Sequence, residues 1–432
     1  MNSYILILGI SGTVILSYFF NFISKKTKIP GVLMLIALGV TVNYSVTGMD
    51  KFDGLIFPLL EILGTVGLIM IVLEAALDLK LEKKKKGLII RSFLAAIGIL
   101  LITVFLVACI LNFLLGMDPI IALVHAVPLS IMSSAIIIPS VASLTESKKE
   151  FMIYESTFSD ILGIMLFYFL IDSLDKSGPG EIALSISLNI VITLIAAVVI
   201  GFVMIWIFQR VKSTVGLFFL ISLLIFVYSF GKMFHLSSLI IILVFGLLLN
   251  NHKLFFLGPL KKLIQPESFQ HLYNEFKVVI EESAFVVRTF FFVIFGMSID
   301  LMSMADLKVI FISIVLLAIM YGVRYFNLKF ITKSDKIFPE LFIAPRGLIT
   351  VLLFYAIPEE LMTPLFDKGI LLIVILGTSL IMMFGIIKNK EGEANQLSVD
   401  DEHDPVSDEP IFPIQDQIAI DDQTGQSDTP KS

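Results

Sequence analysis

Cysteine is almost missing from this chain of 432 residues. Cys109 is the single one and sits in an apolar run, so no internal disulfide can form. Charge is scarce too: Asp, Glu, Lys and Arg make up 16% of the residues, against about 25% in a soluble globular chain. No His/Cys/Asp cluster has metal-ligand spacing, no Gly-rich loop is built to cradle phosphate, and no G-x-S-x-G elbow is present. A basic patch of nucleic-acid character is also missing. The Lys83–Lys86 run lies between two apolar segments, as a membrane-flanking loop does. A disulfide scaffold, an ordinary soluble enzyme and a nucleic-acid partner are thereby excluded.

What the chain has instead is apolar sequence: 57% of residues are hydrophobic and the mean hydropathy is +0.96. A helix crossing a bilayer needs about 20 mostly apolar residues. Thirteen stretches qualify, near 3–23, 31–48, 57–79, 88–115, 119–144, 151–173, 182–208, 215–231, 236–250, 281–302, 307–327, 338–357 and 369–388. The first has no basic start and no small-residue cleavage site, so it reads as a retained helix. The expected fold class is an all-α polytopic membrane protein in contact with lipid.

Orientation follows from the Lys/Arg bias of the loops. With the N-terminus outside, the cytoplasmic loops and the start of the tail carry 23 basic residues and the opposite loops 5. Arg288 and Arg346 are read as basic residues inside spans. The expectation is a multi-pass protein of the cell (inner) membrane with a cytoplasmic C-terminus. From Glu391 onward twelve acidic residues face one lysine, so a body of 30 basic and 25 acidic residues ends in an acidic tail. Residues 1–390 read as a transmembrane domain. Residues 391–432 read as a disordered cytoplasmic tail, too polar to bury a core, with one apolar patch at Ile411-Phe412-Pro413-Ile414.

Function should lie in polar groups placed where lipid is expected, since a charge at the bilayer centre costs roughly 2.5–3.5 kcal/mol. These are Glu61, Glu74, Glu155, Asp160, Arg288 and Arg346. The densest run is Tyr154-Glu155-Ser156-Thr157-Phe158-Ser159-Asp160. Helical spacing puts Ser156 and Asp160 on one face, with Glu155 and Ser159 on the adjacent one. A hydroxyl beside a carboxylate suits a hard monovalent cation, and the second acid needs a counter-charge. Two spans look broken. One holds Pro128, the Ser133-Ser134 pair and Pro139; the other holds Pro345-Arg346-Gly347. Proline removes an amide donor, and in a membrane the freed carbonyls need partners or a cavity. Two interrupted helices in different halves point to an inverted-repeat transporter with a midplane site. His125 reads as structural, and the Phe-rich run Thr289–Gly296 as helix packing around a glycine contact.

These residues, in order, resemble the monovalent cation:proton antiporter superfamily, the Na+/H+ exchangers of the NhaP-like branch. Ile29-Pro30-Gly31 with Leu33 and Gly39 resembles the family's second helix. Leu73-Glu74-Ala75-Ala76-Leu77 resembles its phenylalanine-glutamate-x-glycine-leucine stretch, with leucine and alanine departing from it. Ser133-Ser134 stands where the family carries a threonine-aspartate or serine-threonine pair. Glu155-Ser156 with Asp160, Phe291-Phe292 with Gly296 and Asp300, and Pro345-Arg346-Gly347 match three further signatures. Ser159 departs, standing where relatives have asparagine or aspartate.

The resemblance implies a secondary antiporter, not an enzyme, that exchanges Na+ or K+ for protons without a cofactor, in a six-helix core of two inverted three-helix repeats, spans 4–6 and 11–13, beside a dimerising panel. Asp160 would carry cation and proton alternately. Ser156, Ser159, Ser133 or Ser134 and freed span-5 carbonyls would complete the shell, and Glu155 would pair with Arg346. Arg288 would either neutralise its own span or contact Glu74. With only one carboxylate at the Ser159-Asp160 position, electroneutral exchange is expected. The alternatives are a K+/H+ antiporter, a channel-like K+ efflux relative and a transport-divergent sensor.

Overall fold

A computed structural model describes residues 3–27, 31–45, 53–141, 144–171, 179–208, 210, 215–233, 238–255, 266–298, 303–332 and 337–403. Pro30, Asp300 and the Ile411–Ile414 patch lie outside the described residues, as does the side chain of Glu61. The described chain is helical: α1 (Ser3–Thr27), α2 (Gly31–Ser45), α3 (Asp53–Asp78), α4 (Lys86–Leu115), α5 (Pro119–Ser130), α6 (Ser134–Ser140), α7 (Glu146–Ile171) and α8 (Pro179–Phe208). Then come α9 (Val215–Met233), α10 (Ser238–Asn250), α11 (His252–Phe255), α12 (Pro266–Met297), α13 (Leu307–Thr332), α14 (Leu348–Tyr355) and α15 (Lys368–His403). Among the described residues, seven helices are long and apolar enough to cross a bilayer, and α2, α9 and α10 supply shorter apolar stretches.

Local sequence sets where these helices start and stop. The αL conformation of Gly116 closes α4, its amide bonding the Asn112 carbonyl at 2.9 Å. Two residues on, the Asp118 carboxylate accepts from the Ile120 amide at 2.9 Å and Pro119 fills the first helical position of α5. The result is a tight reversal between α4 and α5. Large apolar side chains cover the outside, among them Phe105, Phe113, Phe218, Phe311 and Phe330. In water that surface would be unstable; against lipid it is the expected one.

One order recurs: long helix, broken segment, long helix. It is seen first in α4, α5/α6 and α7, and again in α13, the non-helical stretch 343–347 leading into α14, and α15. α4 packs on α5, α7 and α13, which brings the two sets together. Elsewhere α12 packs on α2 and α3. The contacts divide the chain into Met1–Asn389 and Lys390–Ser432. Helix α15 runs to His403, so the start of the segment read as a disordered tail is helical. Its Glu391-Gly392-Glu393-Ala394-Asn395-Gln396-Leu397 stretch is rich in good helix formers, which polarity alone does not reveal.

Candidate functional site

The site is built where the two broken segments cross. Pro128 disturbs α5, which stops at Ser130, and residues 131–133 are extended before α6 begins. The second break runs through Ala344-Pro345-Arg346-Gly347. The Ser133 amide donates to the Pro345 carbonyl at 2.9 Å, tying one break to the other. Gly347 permits this approach, because a Cβ there would stand 2.7 Å from both Ser133 Oγ and Ile136 Cδ1.

A broken helix leaves backbone groups without partners, and each needs one when buried. Helix α7 supplies acceptors for the amides. Ser159 Oγ accepts from the Met132 amide at 3.0 Å, and Asp160 Oδ2 accepts from the Ser134 amide at 3.0 Å, at the N-terminus of α6. Arg346 supplies donors for the carbonyls. Its guanidinium donates to Leu129 O at 2.9 Å, to Ala344 O at 2.7 Å and to Ser130 O at 3.4 Å, while its amide donates to Thr378 Oγ1 of α15 at 3.0 Å. A fixed cation thus sits against the C-terminal carbonyls of α5, where the helix dipole favours positive charge.

Glu155 and Arg346 do not meet, which corrects the expected ion pair. Glu155 instead takes both ends of its carboxylate to Arg324 of α13, at 3.1 and 3.0 Å, and both residues are fully buried. Arg324 also donates from Nε to the Glu340 carbonyl at 2.9 Å and touches Met132 Sδ at 3.0 Å. The geometry is the planar, bidentate fork that makes buried arginine–carboxylate pairs tolerable. Arg324 escaped the sequence reading because it counts with the loop charge after span 11. Its position inside the stretch 307–327 was the available signal. The α5 carbonyls expected to face a cation are also reassigned, since Leu129 O and Ser130 O are occupied by Arg346.

Asp160 lies at the crossing, 2% exposed, and its Oδ1 has no hydrogen-bond partner among the described residues. Ser133 Oγ is likewise buried and unpartnered among them. Ser156, one turn before Asp160, is fully buried and donates within its own helix to Ile153 O at 3.2 Å. Glu74 and Arg288 meet at 3.2 Å, which decides between the two roles open for Arg288. They line a cavity of about 290 Å³ that also touches Ser17, Asp78 and Ser134. His125 is buried, its Nδ1 against Ile121 O at 2.8 Å and its ring against Phe354 and Phe366.

Two crossed, broken helices with a buried carboxylate at the crossing are the architecture of a helical membrane transporter. The chain belongs to the sodium/hydrogen exchanger family, whose transmembrane model matches residues 11–387. That family is one of cation/proton antiporters. The fold is also that of a solved structure, the sodium proton antiporter MjNhaP1 from Methanocaldococcus jannaschii at pH 8. The identity is 17%, the TM-score 0.66, and the match covers 90% of this chain and 99% of that one. An electron-microscopy structure of MjNhaP1 matches at 19% identity and a TM-score of 0.62, over 94% of this chain and 100% of that one. No curated protein matches the chain.

Proposed function

We propose that this chain exchanges a cytoplasmic monovalent cation, Na+ or K+, for protons one for one, with Asp160 as the group that carries each in turn. The observation that carries the reading is the Asp160 carboxylate. It is buried and, among the described residues, has one oxygen held by an amide, the other without a hydrogen-bond partner, and no basic side chain within ion-pair distance. A buried charge without a counter-charge is costly, so a proton or a cation must neutralise it, and the two compete. Ser133 and Ser156 supply neighbouring hydroxyl oxygens, the ligand type that suits a hard cation. Ser134 and Ser159 act through the backbone of the break. Glu155 stays paired with Arg324 and takes no proton in the cycle.

The setting we propose is the cell (inner) membrane, N-terminus outside and C-terminus cytoplasmic, as a homodimer surrounded by lipid. The Lys/Arg asymmetry of the loops supports that direction. In this orientation the cavity beside Glu74 and Arg288 touches both Asp78, at the cytoplasmic end of α3, and Ser134. The test is Asp160→Asn in proteoliposomes, followed by dequenching of a pH-sensitive dye on addition of Na+, K+ or Li+. Wild-type protein dissipates the gradient with at least one of these ions. The variant folds and dissipates it with none; residual exchange by Asp160→Asn at wild-type protein levels sinks the assignment.

A further inference from the structure

Helix α14 begins at Leu348, so Thr350 stands in its first turn, with non-helical chain at residues 343–347 below it. That position has a consequence for its hydroxyl. Inside a helix a buried Thr or Ser usually returns its proton to the carbonyl four residues back. Thr157 does so to Ile153 O at 2.8 Å, Thr378 to Val374 O at 2.8 Å and Ser130 to Ala126 O at 2.8 Å. For Thr350 the residue four back is Arg346, in the break, and the hydroxyl makes no such bond. Thr350 is 1% exposed, and its Oγ1 has no partner among the described residues.

A buried hydroxyl without a partner is unfavourable, and a persistent one calls for a ligand. Thr350 lies three residues after Gly347, the residue just before α14. Gly347 abuts Ser133, so the start of α14 meets the first break. Ser133 Oγ and Asp160 Oδ1 are also left without partners among the described residues. α14 also packs against α5 and α7, the helices that carry the break and Asp160. The unpartnered atoms therefore come one from each element: the first break, α7 and α14.

We propose that Thr350 Oγ1 is a ligand of the transported cation, contributed by the second broken helix and sharing the ion with Asp160 Oδ1 and Ser133 Oγ. The inference rests on the antiport reading. A neutral hydroxyl adds an oxygen without adding a titrating group, so it sets affinity and ion preference and leaves the proton count alone. The break in the helix is what frees it; a continuous helix would consume the same hydroxyl internally.

The experiment compares Thr350→Val, which keeps the shape and removes the oxygen, with Thr350→Ser, which keeps the oxygen. Two readouts are taken on full-length protein: exchange kinetics in proteoliposomes, and the rise in melting temperature on adding NaCl or LiCl in detergent, at constant ionic strength set with choline chloride. Thr350→Val is expected to raise the cation KM by about tenfold, the loss of one ligand worth about 1.4 kcal/mol. It should leave kcat within about twofold and the proton midpoint at saturating cation unchanged, and it should lose most of the cation-induced thermal shift. Thr350→Ser should behave as wild type in both readouts. Combined with Ser133→Ala, Thr350→Val should give less than the product of the two single KM effects, as two ligands of one ion do.

A wild-type KM and thermal shift in Thr350→Val overturns the proposal. So does a Thr350→Ser protein as impaired as Thr350→Val. Should wild-type protein exchange no cation at all, the antiport reading fails, and the thermal shift still reports whether Thr350 holds an ion. If Thr350→Val does not fold, Thr350→Ala takes its place, judged against Thr350→Ser by the same two readouts.

Discussion

Two arginines share the buried site, and their partners differ in kind. Arg324 meets the Glu155 carboxylate, whereas Arg346 meets backbone carbonyls of both breaks. Removing one partner of a buried pair strands a charge and costs about 3–5 kcal/mol, while removing both costs much less. Glu155→Gln and Arg324→Met should each lower the melting temperature clearly, and the double variant should lose less than the two together. Glu155→Gln combined with Arg346→Met should instead be close to additive. The measurement is a double-mutant cycle by thermal unfolding in detergent. Coupling of Glu155 to Arg346 but not to Arg324 would reverse the pairing described. Proximity in the chain is no guide here, since Glu155 and Arg324 are 169 residues apart.

At the scale of the helix, backbone contact decides which elements lie together. Gly39 of α2 and Gly296 of α12 face each other, and a Cβ on Gly296 would run into the Ile36 carbonyl oxygen and lie 3.0 Å from Gly39 Cα. Small residues let membrane helices approach this closely and gain packing and weak polar contacts. Gly296→Ala should therefore destabilise the protein by about 1–3 kcal/mol through overpacking, read as a fall in melting temperature. Gly322→Ala on α13, where nothing lies within 4 Å of the added methyl, should be neutral or slightly stabilising, because alanine is the better helix former. Equal losses at the two positions would mean that helix approach at Gly296 is not limiting. The Thr289–Gly296 run is readable as a packing motif from sequence, but its partner on α2 is not.

For the whole molecule, the buried charged side chains among the described residues are Glu155, Asp160, Arg324 and Arg346. Glu155 and Arg324 cancel, and Arg346 keeps its charge against the α5 carbonyls. On the proposed reading Asp160 is, among these four described groups, the one whose state changes, and a bound proton and a bound monovalent cation leave the same net charge. Exchange should be electroneutral. With Na+ as the transported ion and a potential imposed by valinomycin and K+, the exchange rate and end-point should not follow the voltage. A rate and end-point that track voltage would bring a second titrating group into the cycle, with Glu74 beside Arg288 as the first to substitute.

The amino-acid order by itself determined the class of protein, because an apolar run long enough to cross a bilayer can only close its backbone hydrogen bonds as a helix. It also marked both breaks, since proline acts on its own turn and declares itself locally. Asp160 stood out for the same kind of reason: a charge deep in apolar sequence is anomalous without any knowledge of its neighbours. Only the tertiary structure decided which groups meet. Arg324 rather than Arg346 reaches Glu155, Arg346 caps the end of α5, and Arg288 finds Glu74. A pairing depends on which faces of distant helices come together, and helical periodicity fixes only the face within one helix. The Thr350 hydroxyl, without a partner among the described residues, belongs to both levels: Pro345-Arg346-Gly347 predicts the break, but only the packing brings α14 against α5 and α7, the helices of the first break and of Asp160.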